Sequence, residues 1–180
     1  MTVKTKILNQ LKETNTLADF YTDAYNCSSF GFVLDYNDEF VIVERFNDEN
    51  NYDGLTIFFL ENISRIRWEG NEIQSIAKVI DVSKRLDVKP NIDLDSIHSI
   101  LESIQKHFDF LTIHIEDLDS EVCLIGEIHD LDNETIVMHE YGTMISLDRK
   151  FVLLNVHDIT RIDLNGCYEL KLKQVLNISK

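Results

Sequence analysis

The chain has 180 residues and a mass of 21.0 kDa, with 44% hydrophobic and 27% charged residues, proportions that belong to folded proteins and exclude wholesale disorder. That length suits one domain or two small ones of about 90 residues each. Seventeen Lys and Arg face 32 Asp and Glu, a formal net charge of −15, which argues against general affinity for phosphate backbones or anionic lipid, since both need a basic surface. No apolar run approaches the roughly 20 residues of a membrane-spanning helix. Met1 to Lys6 lead into polar sequence, so no secretory signal is expected. Three cysteines, Cys27, Cys123 and Cys167, are odd in number and lack CxxC spacing, which fits free thiols in a reducing cytoplasm.

In chain order, Val3, Ile7, Leu8 and Leu11 share one side of a short helix. A weak strand is expected near Asp19 to Ala24. A stronger one begins at Gly31 and ends in the polar turn Asp35 to Asp38, and the apolar run Phe40 to Val43 follows. Leu55 to Leu60 reads as a strand covered on both faces, and Ile63-Ser-Arg-Ile66 as a short step beyond it. Ile73, Ile76, Ala77 and Ile80 predict a helix over 72–86. The single proline, Pro90, sets a boundary at Lys89-Pro90-Asn91. Ile97, Ile100, Leu101, Ile104 and Phe108 then recur at helical spacing, with Asp93 or Asp95 as N-cap. Phe110 to Ile115 is an apolar strand. Asp132-Asn133 suits a tight hairpin, and Phe151 to Val156 again reads as a strand covered on both faces.

The second half repeats the first. At an offset of 95, Gly31, Asp35 and Glu39 fall on Gly126, Asp130 and Glu134, and Val41-Ile-Val43 falls on Ile136-Val-Met138. One added loop residue makes the offset 96, and Ile63, Arg65, Ile66 and Gly70 then meet Ile159, Arg161, Ile162 and Gly166. Two matched blocks in one order imply a tandem duplication, with repeats over 1–89 and 90–180.

A helix followed by about five short antiparallel strands, with glycine in the second and an Ile-x-x-Ile step into the last, resembles the SH3-like small barrels, and most nearly the Sm-like family. The resemblance spans residues 1–70 and 92–166 and implies a mainly β fold with helices (α+β), a tandem duplication of a helix plus a five-stranded SH3-like or Sm-like small barrel. Sm-like proteins contact RNA through an Asn opening the third strand and an Arg-Gly pair before the last. Val41 and Ile136 stand at the first position, and Phe59-Leu60 and Asn155-Val156 at the second. The resemblance therefore carries shape rather than RNA contact.

Charge is uneven along the chain: residues 1–90 carry 10 basic and 15 acidic side chains, residues 91–180 carry 7 and 17. No Lys or Arg lies between Lys106 and Arg149, while Asp117, Asp119, Glu121, Asp130, Asp132 and Glu134 accumulate there. These six form the candidate interaction face, able to attract a basic partner; a solvated, solubilising surface is the plainer explanation of the same residues. All six histidines, His98, His107, His114, His129, His139 and His157, lie in the second half, but without HExxH or a paired Cys-His set. Glu49 to Gly54 has the alternation of an EF-hand loop, yet its twelfth position is Leu60 where a bidentate Glu is needed, so a hairpin loop explains it. GxSxG, GxxxxGKS and GxGxxG are all missing.

The expectation is a non-enzymatic, cytoplasmic protein-interaction or adaptor module without catalytic, cofactor or metal residues. Its expected partner is a basic protein, not a membrane or nucleic acid, with self-association open through strand edges. The alternatives are a Sm-like RNA-binding module and an acidic inhibitor that imitates nucleic acid.

Overall fold

A computed structural model of the chain describes residues 2–22, 28–81, 83, 85–86, 89–145 and 148–176; Cys27 lies outside them. Two compact units are present, Met1–Lys89 and Pro90–Lys180. The fold is α+β.

The first unit opens with α1 (Val3–Glu13), whose Thr2 side chain accepts from the Thr5 amide at 3.2 Å and satisfies an otherwise orphaned N–H of the first turn. Leu8 and Leu11 are buried; Val3, expected beside them, is exposed. Five strands follow: β1 (Ala18–Thr22), β2 (Ser28–Tyr36), β3 (Phe40–Phe46), β4 (Tyr52–Phe59) and, after a 3-10 turn at Leu60–Asn62, β5 (Ile63–Trp68). Within the unit they are antiparallel in the order β5-β1-β2-β3-β4. β1, the weakest strand by sequence, is buried throughout and paired on both sides. Its charge had masked its apolar character: Asp19 is fully buried and accepts from Arg67 Nε at 2.9 Å and from a second guanidinium nitrogen. Leu8, Leu11, Phe20, Val43 and Phe58 share one core cluster. A second holds Leu17, Phe32, Phe46, Ile73 and Ile80.

α2 spans Asn71–Val79, shorter than the predicted 72–86. Ile80 adopts extended backbone and is buried in the second cluster, so the chain leaves the helix in order to bury it. Arg85 and Leu86 then tie back to fully buried Glu44, through Arg85 Nε at 2.8 Å and the Leu86 amide at 2.8 Å.

The second unit contains α3 (Ile97–His107), β6 (Leu111–His114), β7 (Cys123–Leu131), β8 (Thr135–Glu140), β9 (Lys150–Asn155), a 3-10 turn at Val156–Asp158, β10 (Arg161–Leu164) and α4 (Cys167–Leu176). The cap of α3 is Ser96, which accepts from the Ser99 amide at 3.0 Å. Asp93, one of the expected caps, instead accepts from the Asp95 amide at 3.0 Å in the approach to the helix. α4 was not predicted; Leu172 buries it against Phe110, Ile125 and Tyr141. The strand order within the unit is β10-β6-β7-β8-β9.

The expected SH3-like or Sm-like barrels do not form. In each unit the strands make an open row, and among the described residues no ladder joins β4 to β5 or β9 to β10. The reason lies in the 3-10 turns. Each is a single turn anchored to the preceding hairpin, Leu60 N to Glu39 O at 2.7 Å and Val156 N to Glu134 O at 2.8 Å. The chain therefore crosses to the far end of the row rather than folding back beside the strand it has left.

Strand order and register, rather than a closed barrel, are what recur. Gly31 faces Arg45 and Gly126 faces Glu140, and each bulge follows two residues later, at Val33/Asp35 and Ile128/Asp130. A Cβ on Gly31 would stand 2.4 Å from the Glu44 carbonyl oxygen, and one on Gly126 would stand 2.1 Å from that of His139. Both glycines are required by the next strand's close approach. Gly126→Ala should lower stability by about 1–3 kcal/mol, the range for overpacking. Urea denaturation with an unchanged m-value checks it.

Candidate interaction face

The six candidate carboxylates are all exposed, but they do not form one patch. Asp117, Asp119 and Glu121 lie in the β6–β7 loop, and Asp130, Asp132 and Glu134 at the β7–β8 hairpin. β7 separates the groups by roughly 25 Å at about 3.3 Å per residue.

The hairpin group is held rigidly. Asp132 Oδ1 accepts from the Glu134 amide at 2.8 Å, the Thr135 amide at 2.7 Å and the Thr135 hydroxyl at 3.1 Å. Asn37 does the same in the first unit, accepting from Glu39 at 2.8 Å and Phe40 at 2.7 Å, so an Asx turn closes both hairpins. Asp130 Oδ1 accepts from the Leu131 amide at 2.9 Å. Because Val156 N bonds Glu134 O, the turn carrying Asp158 sits beside the same hairpin. Among the described residues none of Asp130, Asp132 and Glu134 is in an ion pair with Lys or Arg. In the loop group, Asp119 Oδ1 accepts from the Glu121 amide at 3.1 Å. The neighbouring Glu116 is drawn inward to Arg161 at 3.1 Å.

The histidines are dispersed. His98 lies against the hairpin, Nδ1 at 3.2 Å from the Asp132 carbonyl oxygen. His107 meets Asn91 at 2.9 Å, and His157 meets Asp158 at 3.3 Å. His129 and His139 pack on Phe151, with ring centroids 4.9 and 4.8 Å apart. Among the described residues no group of three or more His, Cys, Asp or Glu is arranged to hold a metal ion. Glu49 to Gly54 falls in the β3–β4 hairpin, where Asn47 Oδ1 accepts from the Glu49 and Asn51 amides, both at 3.0 Å.

Sequence reasoning missed a buried polar cluster at one end of the second unit's row of strands. His114 Nε2 lies 2.9 Å from Asp163 Oδ2, Arg161 reaches both His114 and Glu116, and Thr112 donates to buried Glu169 of α4. Cys123 faces His114 across the ladder. No spacing could reveal this grouping, because its members come from four elements. The one local signal was Asp163, a charge between Ile162 and Leu164. Partial burial pushes the Cys123 thiol up, and the Asp163 and Glu169 charges push it further, whereas an activated thiol needs the reverse. In the first unit, a crevice of about 610 Å³ between β5 and α2 is lined by Arg67, Trp68, Glu72 and Ile73, but Arg67 is already committed to Asp19 and Glu72.

The chain matches no family model, no curated protein and no solved structure. Fold and surface together define an acidic α+β protein of two units, in each of which the row of strands stays open. No helix among the described residues is long and apolar enough to cross a membrane.

Two outcomes are expected from this chemistry. The Glu134 and Thr135 amides, with the Thr135 hydroxyl, hold the Asp132 carboxyl below the usual carboxylate range. Its stabilisation of the turn is therefore present above the unfolded value near pH 4 and is lost as pH falls through the lower folded value. The protection factors of the Glu134 and Thr135 amides, taken relative to intrinsic exchange at each pH, should fall on acidification in the native chain and much less in Asp132→Asn, which retains the acceptor without the titration. At Cys123, iodoacetamide should react more slowly than with a free cysteine at mildly alkaline pH, as read by peptide mass spectrometry.

Proposed function

We propose that this protein is a non-enzymatic, cytoplasmic interaction module whose second unit receives a basic protein partner at the β7–β8 hairpin. The observation that carries the reading is the exposed trio Asp130, Asp132 and Glu134, on a turn that the Asp132 carboxylate orders and in a stretch without Lys or Arg from 107 to 148. A pre-ordered turn loses little entropy on docking, and clustered negative charge speeds encounter with a positive surface. The hairpin is favoured over the β6–β7 loop because Asp158 adds to it and because three hydrogen bonds to Asp132 order its turn, against one to Asp119 in the loop. A free thiol at Cys123 suits a reducing compartment.

The test keeps Asp132, which the turn needs, and reverses its neighbours in an Asp130→Lys/Glu134→Lys variant. The immobilised native chain should retain a basic protein from its own cell lysate at about 0.15 M salt and release it at about 0.5 M, where exposed charge contacts are screened. The variant should retain at least several-fold less. Equal retention by both proteins overturns the reading.

A further inference from the structure

The second unit ends in a strand that lacks the usual protection of a sheet edge. β9 runs alongside β8 for six consecutive pairs, Thr135↔Asn155 through Glu140↔Lys150, without a register shift. Among the described residues it has no neighbour on its other side, so alternate N–H and C=O groups point outward unpaired. Edges are normally blunted by bulges, prolines or outward charges. β5, which ends the row in the first unit, shows two of these: a register shift at Tyr21/Thr22 of its ladder, and exposed Arg65 and Arg67. β9, of sequence Lys-Phe-Val-Leu-Leu-Asn, has neither proline nor bulge, and Phe151 and Leu153 are 61% and 65% exposed.

The surface beside this edge is apolar and carries negative charge at its Asn155 end. His139 faces Phe151 and Val137 faces Leu153 on the adjoining strand, and the His139 ring is stacked on Phe151 at 18°. Glu127 stands in the same row, 3.2 Å from His139 Nδ1. Asp148 precedes the strand, and Glu134 and Asp158 flank its far end. The cations nearby are occupied: Lys150 pairs with Glu140 and Asp148 at 3.5 and 3.6 Å, and Arg149 lies over the Tyr141 ring at 5.0 Å.

We propose that β9 is the docking strand for an extended segment of the partner, one that alternates apolar residues with Lys or Arg and adds a sixth strand to this row. Backbone pairing supplies the register, Phe151 and Leu153 receive the apolar side chains, and Glu134 and Asp158 at the Asn155 end receive the basic ones. This rests on the acidic-module reading above and names the form of its partner.

The test titrates the full chain with a labelled eight-residue peptide of alternating Lys and Val. Two companions are used: the same peptide N-methylated at every second residue, which blocks backbone pairing, and a flexible Lys/Ser peptide of equal charge. The first peptide should bind at least 10-fold more tightly than either companion. Leu153→Lys, at an exposed position, should weaken it about 10-fold while leaving the circular dichroism unchanged. Equal affinity for the methylated peptide overturns strand addition while leaving the acidic module standing; no binding of any cationic peptide removes both. Sedimentation showing a dimer of the native chain that Leu153→Lys abolishes also overturns the proposal, because β9 would then be filled by a second copy.

Discussion

The backbone contact at the two strand glycines is the constraint from which most of the second unit follows. Where Gly126 passes the His139 carbonyl there is no room for a Cβ, so the register of β7 on β8 can be held only with glycine at that point. From this register the bulge falls between Ile128 and Asp130, and Glu127 comes opposite His139. The β8–β9 ladder then sets His139 opposite Phe151. A slip of one residue would turn Ile128, Ile136 and Met138 out of the core and bring Glu127, Val137 and His139 inward in their place. The same contact at Gly31 organises the first unit, and for that reason two stretches of otherwise different sequence share one strand order.

Charge is handled in two distinct ways. Where a carboxylate is buried it has a dedicated partner: Asp19 with Arg67, Glu44 with Arg85 and the Leu86 amide, Asp163 with His114. Removing one member of such a pair leaves a buried charge uncompensated, which is far costlier than losing a surface pair. These contacts therefore read as positioning devices for the segments they join. Where carboxylates are exposed, at the hairpin, they are oriented by backbone amides and have no Lys or Arg partner among the described residues. An oriented, unneutralised cluster beside an unprotected strand edge gives the second unit an asymmetry that the first unit lacks.

Much of this was legible in the residues. Paired blocks around Gly31 and Gly126 announced the repeat, Asp132-Asn133 announced the hairpin, and the 3.6-residue spacing of Ile97, Ile100, Leu101 and Ile104 announced α3. Three readings failed for identifiable physical reasons. β1 looked weak because Asp19 interrupts it, and the Arg67 that neutralises that charge is 48 residues away. The helix after β5 looked too long because Ile80 continues the apolar period while leaving the helix. β9 looked buried on both faces because an uninterrupted apolar run reads the same whether or not another layer covers it.

Composition, periodicity and the repeat by themselves determined an acidic chain of two similar α+β halves, with its negative charge concentrated in the stretch without Lys or Arg from 107 to 148. These are properties of residue type and local spacing, and they survive without knowledge of what packs on what. Tertiary structure alone decided that the rows stay open, that the six candidate carboxylates divide between the two ends of β7, and that the apolar residues of β9 face outward. Each of these depends on which strands become neighbours, and that is settled by backbone hydrogen bonds between residues far apart in the chain, whose pairing leaves no mark on local sequence.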